Sequence, residues 1–288
     1  MRISALPTAI SNILAGSLLA NQSWIPTDKL FLLIGSSSCL YISGMVLNDY
    51  CDKDIDAKER PGRPIPSGQV SANSALAAYV LLTLVGLVLA VLVNFKSLLV
   101  ATIIVAAIFL YDFVLKRTAV APIVMGCCRS LNILLGASLV SDASFPGFSN
   151  LVFWVAAIVG VFICALTWFA RNEAKDSNRS NLTAAAALIV CSLAAFAATG
   201  YVFQTTTPHR FALFVFVLAI PALYRVFNAT IRCDSMSVQQ AIRSLLQSLI
   251  LFDACICILA RPDQPSFAMI TVALLLPAMF LSRLISST

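Results

Sequence analysis

From Asn48 to Gly68 the chain reads NDYCDKDIDAKERPGRPIPSG, and its ionisable chemistry concentrates there. At about 100° per residue along a helix, Asn48, Asp49, Asp52 and Asp56 share one face, while Asp54 points the opposite way. Carboxylates at these spacings repel one another. They also end a long apolar run, where the helix dipole disfavours negative charge. A cation must compensate. Asn48, Asp49, Asp52 and Asp56 are oxygen donors, the kind a hard divalent ion such as Mg2+ takes and shares with substrate phosphates. The other reading is a solvated acidic helix end neutralised by Lys53, Lys58 and Arg60. Arg60 and Arg63 follow in a proline-rich turn, and arginine forks bind phosphate oxygens bidentately. Carboxylates followed closely by arginines are what a metal-bridged diphosphate requires.

The spacing N-D-x-x-D-x-x-x-D, then R-P-x-R-P-x-x-x-G, resembles the first aspartate-rich motif of the UbiA superfamily of intramembrane prenyltransferases. The resemblance implies an all-α transmembrane bundle, usually of nine spans, with a polar cavity facing the cytoplasm. It also implies Mg2+-assisted ionisation of a polyprenyl diphosphate and transfer of the prenyl group to an acceptor that the sequence does not name. Asp49 and Asp52 would then be catalytic. The stretch YDFVLKRTAVAP, from Tyr111, is similar to the family's basic stretch, so Lys116 and Arg117 are expected on the diphosphate, with Tyr111 and Asp112 as neighbours. An ordinary positively charged loop is the alternative. Arg129 and Asn132 lie within an apolar run, where a charge usually faces a polar cavity. Met125 and Gly136 share their stripe. Asn12 is placed like a cavity-facing asparagine of the family, or it hydrogen-bonds a neighbouring helix.

A second aspartate-rich motif is expected near residue 172, where the chain has RNEAKDSNRS. Glu173 and Asp176 are candidate metal ligands. Asn172 replaces an expected aspartate, and Lys175 supplies a cation that contacts substrate in this reading. The combination is most similar to the EboC-type UbiA-like proteins, over about residues 5–180. The alternative to catalysis is a member of the same fold that binds or translocates an isoprenoid. Asp253 is expected to pair with Arg225 or Arg243, the alternative being that it lines the cavity, and His209 to lie in an outer loop.

Such residues need a scaffold, and the composition says which. Of 288 residues 60% are hydrophobic and 11% charged, and the mean hydropathy is +0.92. A soluble domain is about a quarter charged, so cytosolic enzymes, disordered regulators and disulfide scaffolds are excluded. Apolar runs at 5–20, 30–48, 75–94, 97–112, 119–140, 150–170, 182–203, 211–229, 238–260 and 266–284 predict nine to ten bilayer-crossing helices in one domain over residues 1–288. The first run leads into a multispanning chain rather than a cleavable signal. With ten alternating spans, Lys29, Lys96, Arg210 and Arg261 fall on one side, leaving 15 of the 19 basic residues on the other. The positive-inside rule puts that richer side, with the motif loops, in the cytoplasm, which in a bacterium means an inner-membrane protein. The net charge of +6 is thereby a topology signal, not a nucleic-acid surface. The nine cysteines lack paired CxxC spacing, and most lie in apolar runs, as small hydrophobes do.

Overall fold

The apolar runs become helices packed side by side in a computed structural model, which describes residues 5–139, 148–171, 179–205 and 207–286. They are α1 (Leu6–Asn21), α2 (Thr27–Cys51), α3 (Lys53–Glu59), α4 (Ala72–Val93), α5 (Phe95–Leu110), α6 (Ala121–Ala137), α7 (Asn150–Ala170), α8 (Arg179–Val202), α9 (Pro208–Arg232), α10 (Ser235–Ala260), α11 (Ser266–Ala273) and α12 (Leu275–Ser286). Local chemistry sets the starts. Ser71, Asn94, Ser149 and Asp234 each accept a backbone N–H three residues on, satisfying a donor the helix leaves open. Pro7, Pro122 and Pro208 occupy first turns, where no N–H is needed.

Among the described residues seven helices are long and apolar enough to cross a membrane: α2, α4, α5 with its extension to Leu115, and α7 to α10. The expected nine to ten spans also counted α1 and α6, which have 16 and 17 residues. The last expected run divides at Leu274 into α11 and α12.

Lipid tails give helices no hydrophobic reason to associate, so close backbone approach and hydrogen bonds must do so. A Cβ on Gly136 would strike the backbone of Ile13, and one on Gly16 would strike the carbonyl of Ile133, so α1 and α6 touch nearly backbone to backbone. Gly126 and Gly160 do the same for α6 and α7. Ser36 donates to the Gly86 carbonyl at 2.8 Å, tying α2 to α4, and Ser130 donates to Ala156 at 2.8 Å. One apolar core joins α1, α2, α4, α5 and α6; a second joins α7 to α10. Leu81, Leu84, Val88 and Leu92 stay exposed along α4, the lipid-facing pattern.

Candidate active site

α2 stops at Cys51 and α3 begins at Lys53, so Asp52 sits at a break and the acidic stretch is not one continuous helix. The proline-rich turn folds back, with Ser67 N–H on the Arg63 carbonyl at 2.9 Å and Gly68 at φ +77°, a conformation that suits glycine. This return puts Arg63 Nη1 2.9 Å from Asp49 Oδ1 and 3.0 Å from Asp56 Oδ2. Opposite, α5 ends in a π-helical turn, Tyr111–Leu115, closed by Lys116 N–H on the Tyr111 carbonyl at 2.8 Å. Such turns recur at functional sites. Here it buries Asp112, which accepts from Asn48 Nδ2 at 2.7 Å. It also delivers Lys116 Nζ to Asp52 Oδ2 at 2.5 Å. Among the described residues, Arg63 pairs with Asp49 and Asp56 and Lys116 with Asp52, which relieves the repulsion read from the sequence, while Arg60 is exposed.

A cavity of ≈ 380 Å³ opens between these elements. Asn48, Tyr111, Asp112 and Lys116 form its mouth, and Arg129 and Asn132 its inner end. Between them the wall is apolar, with Leu40, Ile104, Ile108 and Leu166, and Tyr41 adds an aromatic face. A second cavity of ≈ 380 Å³ shares Asp112 and Lys116 and adds Asp52, Lys53 and Arg117.

At the inner end, Asn132 donates to the Ala9 carbonyl at 2.9 Å and accepts from Ser37 at 2.7 Å. Arg129 Nη1 donates to the Thr8 carbonyl at 3.0 Å and to Asn12 Oδ1 at 2.9 Å; Nη2 donates to Thr8 Oγ1 at 3.0 Å. Of the two places expected for Asn12, the structure shows the hydrogen bond to a neighbouring helix: it is buried, donating to Asp253 Oδ1 on α10 at 2.7 Å. Asp253 meets neither Arg225 nor Arg243 here, but Asn12 and the Ser11 hydroxyl, because α10 packs on α1. His209 pairs with Tyr201 at 2.7 Å. Asn172, Glu173, Lys175 and Asp176 lie outside the described residues. Asp112 is more central than its sequence signal, one acid beside Tyr111, suggested.

Among the described residues no three of His, Cys, Asp and Glu converge to hold a metal by themselves. The donor chemistry still fits Mg2+, which takes one or two carboxylates and completes its shell with water and substrate phosphates. Asn48 Oδ1 is buried with no hydrogen-bond partner among the described residues. A buried amide oxygen without a donor is costly, and it lies beside Asp49 in the chain.

A family model described as the UbiA prenyltransferase family matches residues 9–249. The chain belongs to the UbiA prenyltransferase family. With seven membrane-capable helices, this UbiA-family chain is an integral membrane protein. It is 29% identical over 143 residues to a digeranylgeranylglyceryl phosphate synthase of Sulfurisphaera tokodaii, covering 49% of this chain and 51% of that protein. The chain spans about half the length of the curated relatives it matches. A UbiA homologue from Aeropyrum pernix K1 superposes with a TM-score of 0.72 at 18% identity, over 89% of this chain and 98% of that one. A UbiA homologue from Archaeoglobus fulgidus, bound to GPP and Mg2+, gives 0.65 at 12% identity, over 94% and 96%. At these identities the likeness shows the UbiA fold.

Proposed function

We propose that this chain is a Mg2+-dependent intramembrane prenyltransferase, moving a polyprenyl group from a polyprenyl diphosphate to an acceptor. One observation carries the reading: a single cavity runs from a charged mouth at Asn48, Asp112 and Lys116 along apolar walls. That is the shape of an amphiphile with a charged head and an isoprenoid tail. The ligand bound by the A. fulgidus homologue and the name of the S. tokodaii relative support it.

Asn48, Asp49 and Asp52 would hold Mg2+, with Asp56 behind them and Glu173 and Asp176 as further ligands. When bound, the ion supplies Lewis-acid stabilisation of the diphosphate leaving group. Lys116 and Arg117 neutralise the charge that remains, and Arg60, Arg63 and Lys175 add to the positive field at the mouth. Tyr41 and Tyr111 turn aromatic faces to the developing allylic cation. The apolar wall takes the tail and excludes water, which would otherwise capture that cation. In this reading the whole chain works as one domain. The shorter α1 and α6 also cross the bilayer, making nine spans, and the motif end faces the cytoplasm of a plasma membrane.

The test is diphosphate release by purified protein from geranyl diphosphate and longer donors, with a panel of acceptors, with and without Mg2+. Release that requires Mg2+ and is lost in Lys116→Met is the expected result. Donor binding without release under every condition would overturn the reading.

A further inference from the structure

Asp253 lies on α10, beyond the 9–249 stretch that the family model matches, and is 1% exposed. Its two oxygens are both engaged on α1, Oδ2 with the Ser11 hydroxyl and Oδ1 with Asn12 Nδ2. The second contact has a directional consequence. An asparagine amide offers a donor on one side and an acceptor on the other. With Nδ2 committed to Asp253, Asn12 must turn Oδ1 away from α10, and that oxygen receives Arg129 Nη1 at 2.9 Å. Were the amide reversed, its NH2 would face a guanidinium, donor against donor. Three of the five guanidinium N–H groups are thus fixed on Thr8 and Asn12. Arg129 also lines the cavity.

We propose that Asp253 is a positioning residue for Arg129: by fixing the Asn12 amide it locks the guanidinium against α1, leaving the remaining N–H edge to bind an oxygen-bearing head group of the acceptor at the inner end of the cavity. Assignment of that head group to the acceptor rests on the prenyltransferase reading above. The relay itself does not.

The relay is tested with phenylglyoxal, an arginine reagent, by mass-spectrometric mapping of the adduct at Arg129 in detergent-solubilised full-length protein. Asp253→Leu, which removes the acceptor behind Asn12, should speed modification of Arg129 by roughly tenfold, about one charge-assisted hydrogen bond's worth. The double variant Asn12→Asp, Asp253→Asn restores an oxygen toward Arg129 and a donor behind it, and should return the rate to wild type. Ser11→Ala keeps the Asn12 contact and should leave the rate unchanged, which separates a specific relay from general loosening. In turnover, Asp253→Leu should raise KM for the acceptor and leave KM for geranyl diphosphate unchanged, with the wild-type value in the double variant. Wild-type reactivity of Arg129 in Asp253→Leu overturns the proposal, as does failure of the double variant to show the wild-type rate while its melting temperature is normal. Release and recapture of Arg129, with no Mg2+-dependent diphosphate release even in wild type, would leave the relay standing and remove the prenyltransferase reading.

Discussion

Asp49 and Asp56 belong to one motif and share one arginine, yet their surroundings differ. The Asp49 side chain is 38% exposed and that of Asp56 is 6%. An exposed ion pair contributes about 0–1 kcal/mol, so Asp49→Asn should barely change the melting temperature while abolishing Mg2+-dependent diphosphate release. Asp56→Asn leaves a buried amide against the Arg63 guanidinium and should cost about 1–3 kcal/mol. Paired thermal melts and release assays check both, and equal melting shifts would show that burial does not separate the two acids. Asn48→Ala removes the buried oxygen without a hydrogen-bond partner and should weaken Mg2+ affinity at least roughly tenfold, the scale of a lost charge-assisted contact. A Mg2+ titration of geranyl diphosphate binding reads it; an unchanged midpoint would place the ion elsewhere. The acids, Lys116 and Arg129 were legible in the sequence because their types and spacing are local. Their partners were not. Arg63 returns through a turn of several residues, and Asp253 reaches Asn12 across 241 positions, a distance that no spacing rule covers.

Elements convert those residues into a site, and the π turn after α5 does most of it. Its extra residue widens the helix so that Asp112 is buried against Asn48 while Lys116 reaches Asp52. Deleting Val114, which is exposed, should return the segment to α geometry and rotate Lys116 by about 100°. The protein should still fold but lose geranyl diphosphate binding by calorimetry, whereas Val114→Ala should bind normally. Tight binding after the deletion would mean that Lys116 is not held by the turn. Hydropathy could not reveal this turn, since an α and a π turn of the same apolar residues read alike. Nor could it reveal the break at Asp52, because the 100° rule presumes a continuous helix. Caps were more accessible. Asp234 accepts from the Ser237 hydroxyl at 2.7 Å and its N–H at 2.8 Å, and these bonds hold its carboxyl below the ordinary 3.8. A depressed folded value means the cap stabilises fully above the unfolded carboxyl's pKa and is lost as pH falls through the folded one. Asp234→Ala should therefore lower the melting temperature at neutral pH, and the gap to wild type should close in strong acid. A gap that persists there would assign the loss to packing instead of charge.

At the scale of the whole molecule, charge is sorted between the two ends of the bundle. Lys29, Lys96 and Arg210 lie in the first turns of α2, α5 and α9, and Arg261 follows α10. Arg261 donates to the Gln22 carbonyl at 2.8 Å, joining the end of α10 to the turn after α1, and Asn94 donates to that of Ser138 at 2.7 Å, joining the start of α5 to the end of α6. The cations there are partly covered, since Lys96 lies 3.7 Å over the Phe148 ring and Arg261 pairs with Asp263 at 2.9 Å. At the other end Arg171 reaches the Thr118 carbonyl at 2.6 Å, beside Lys116 and Arg117. The run 150–170 anticipated α7 residue for residue, because its boundaries are polar, whereas the division at Leu274 falls between two apolar residues and leaves no mark on hydropathy. That division lies after Arg261, the last of the four minority cations. The positive-inside rule, applied to this charge pattern, predicts that the Asp49–Lys116 end faces the cytoplasm. In a background with the nine cysteines replaced, a cysteine at exposed Ser67 should react with a membrane-impermeant maleimide only in inverted vesicles. One at exposed Gln264, beyond α10, should react only in intact cells. The reverse pattern would turn the molecule over and place the diphosphate site on the outer face. Labelling of both positions from one side would break the alternation itself, and with it the single cavity mouth on which the proposed reaction depends.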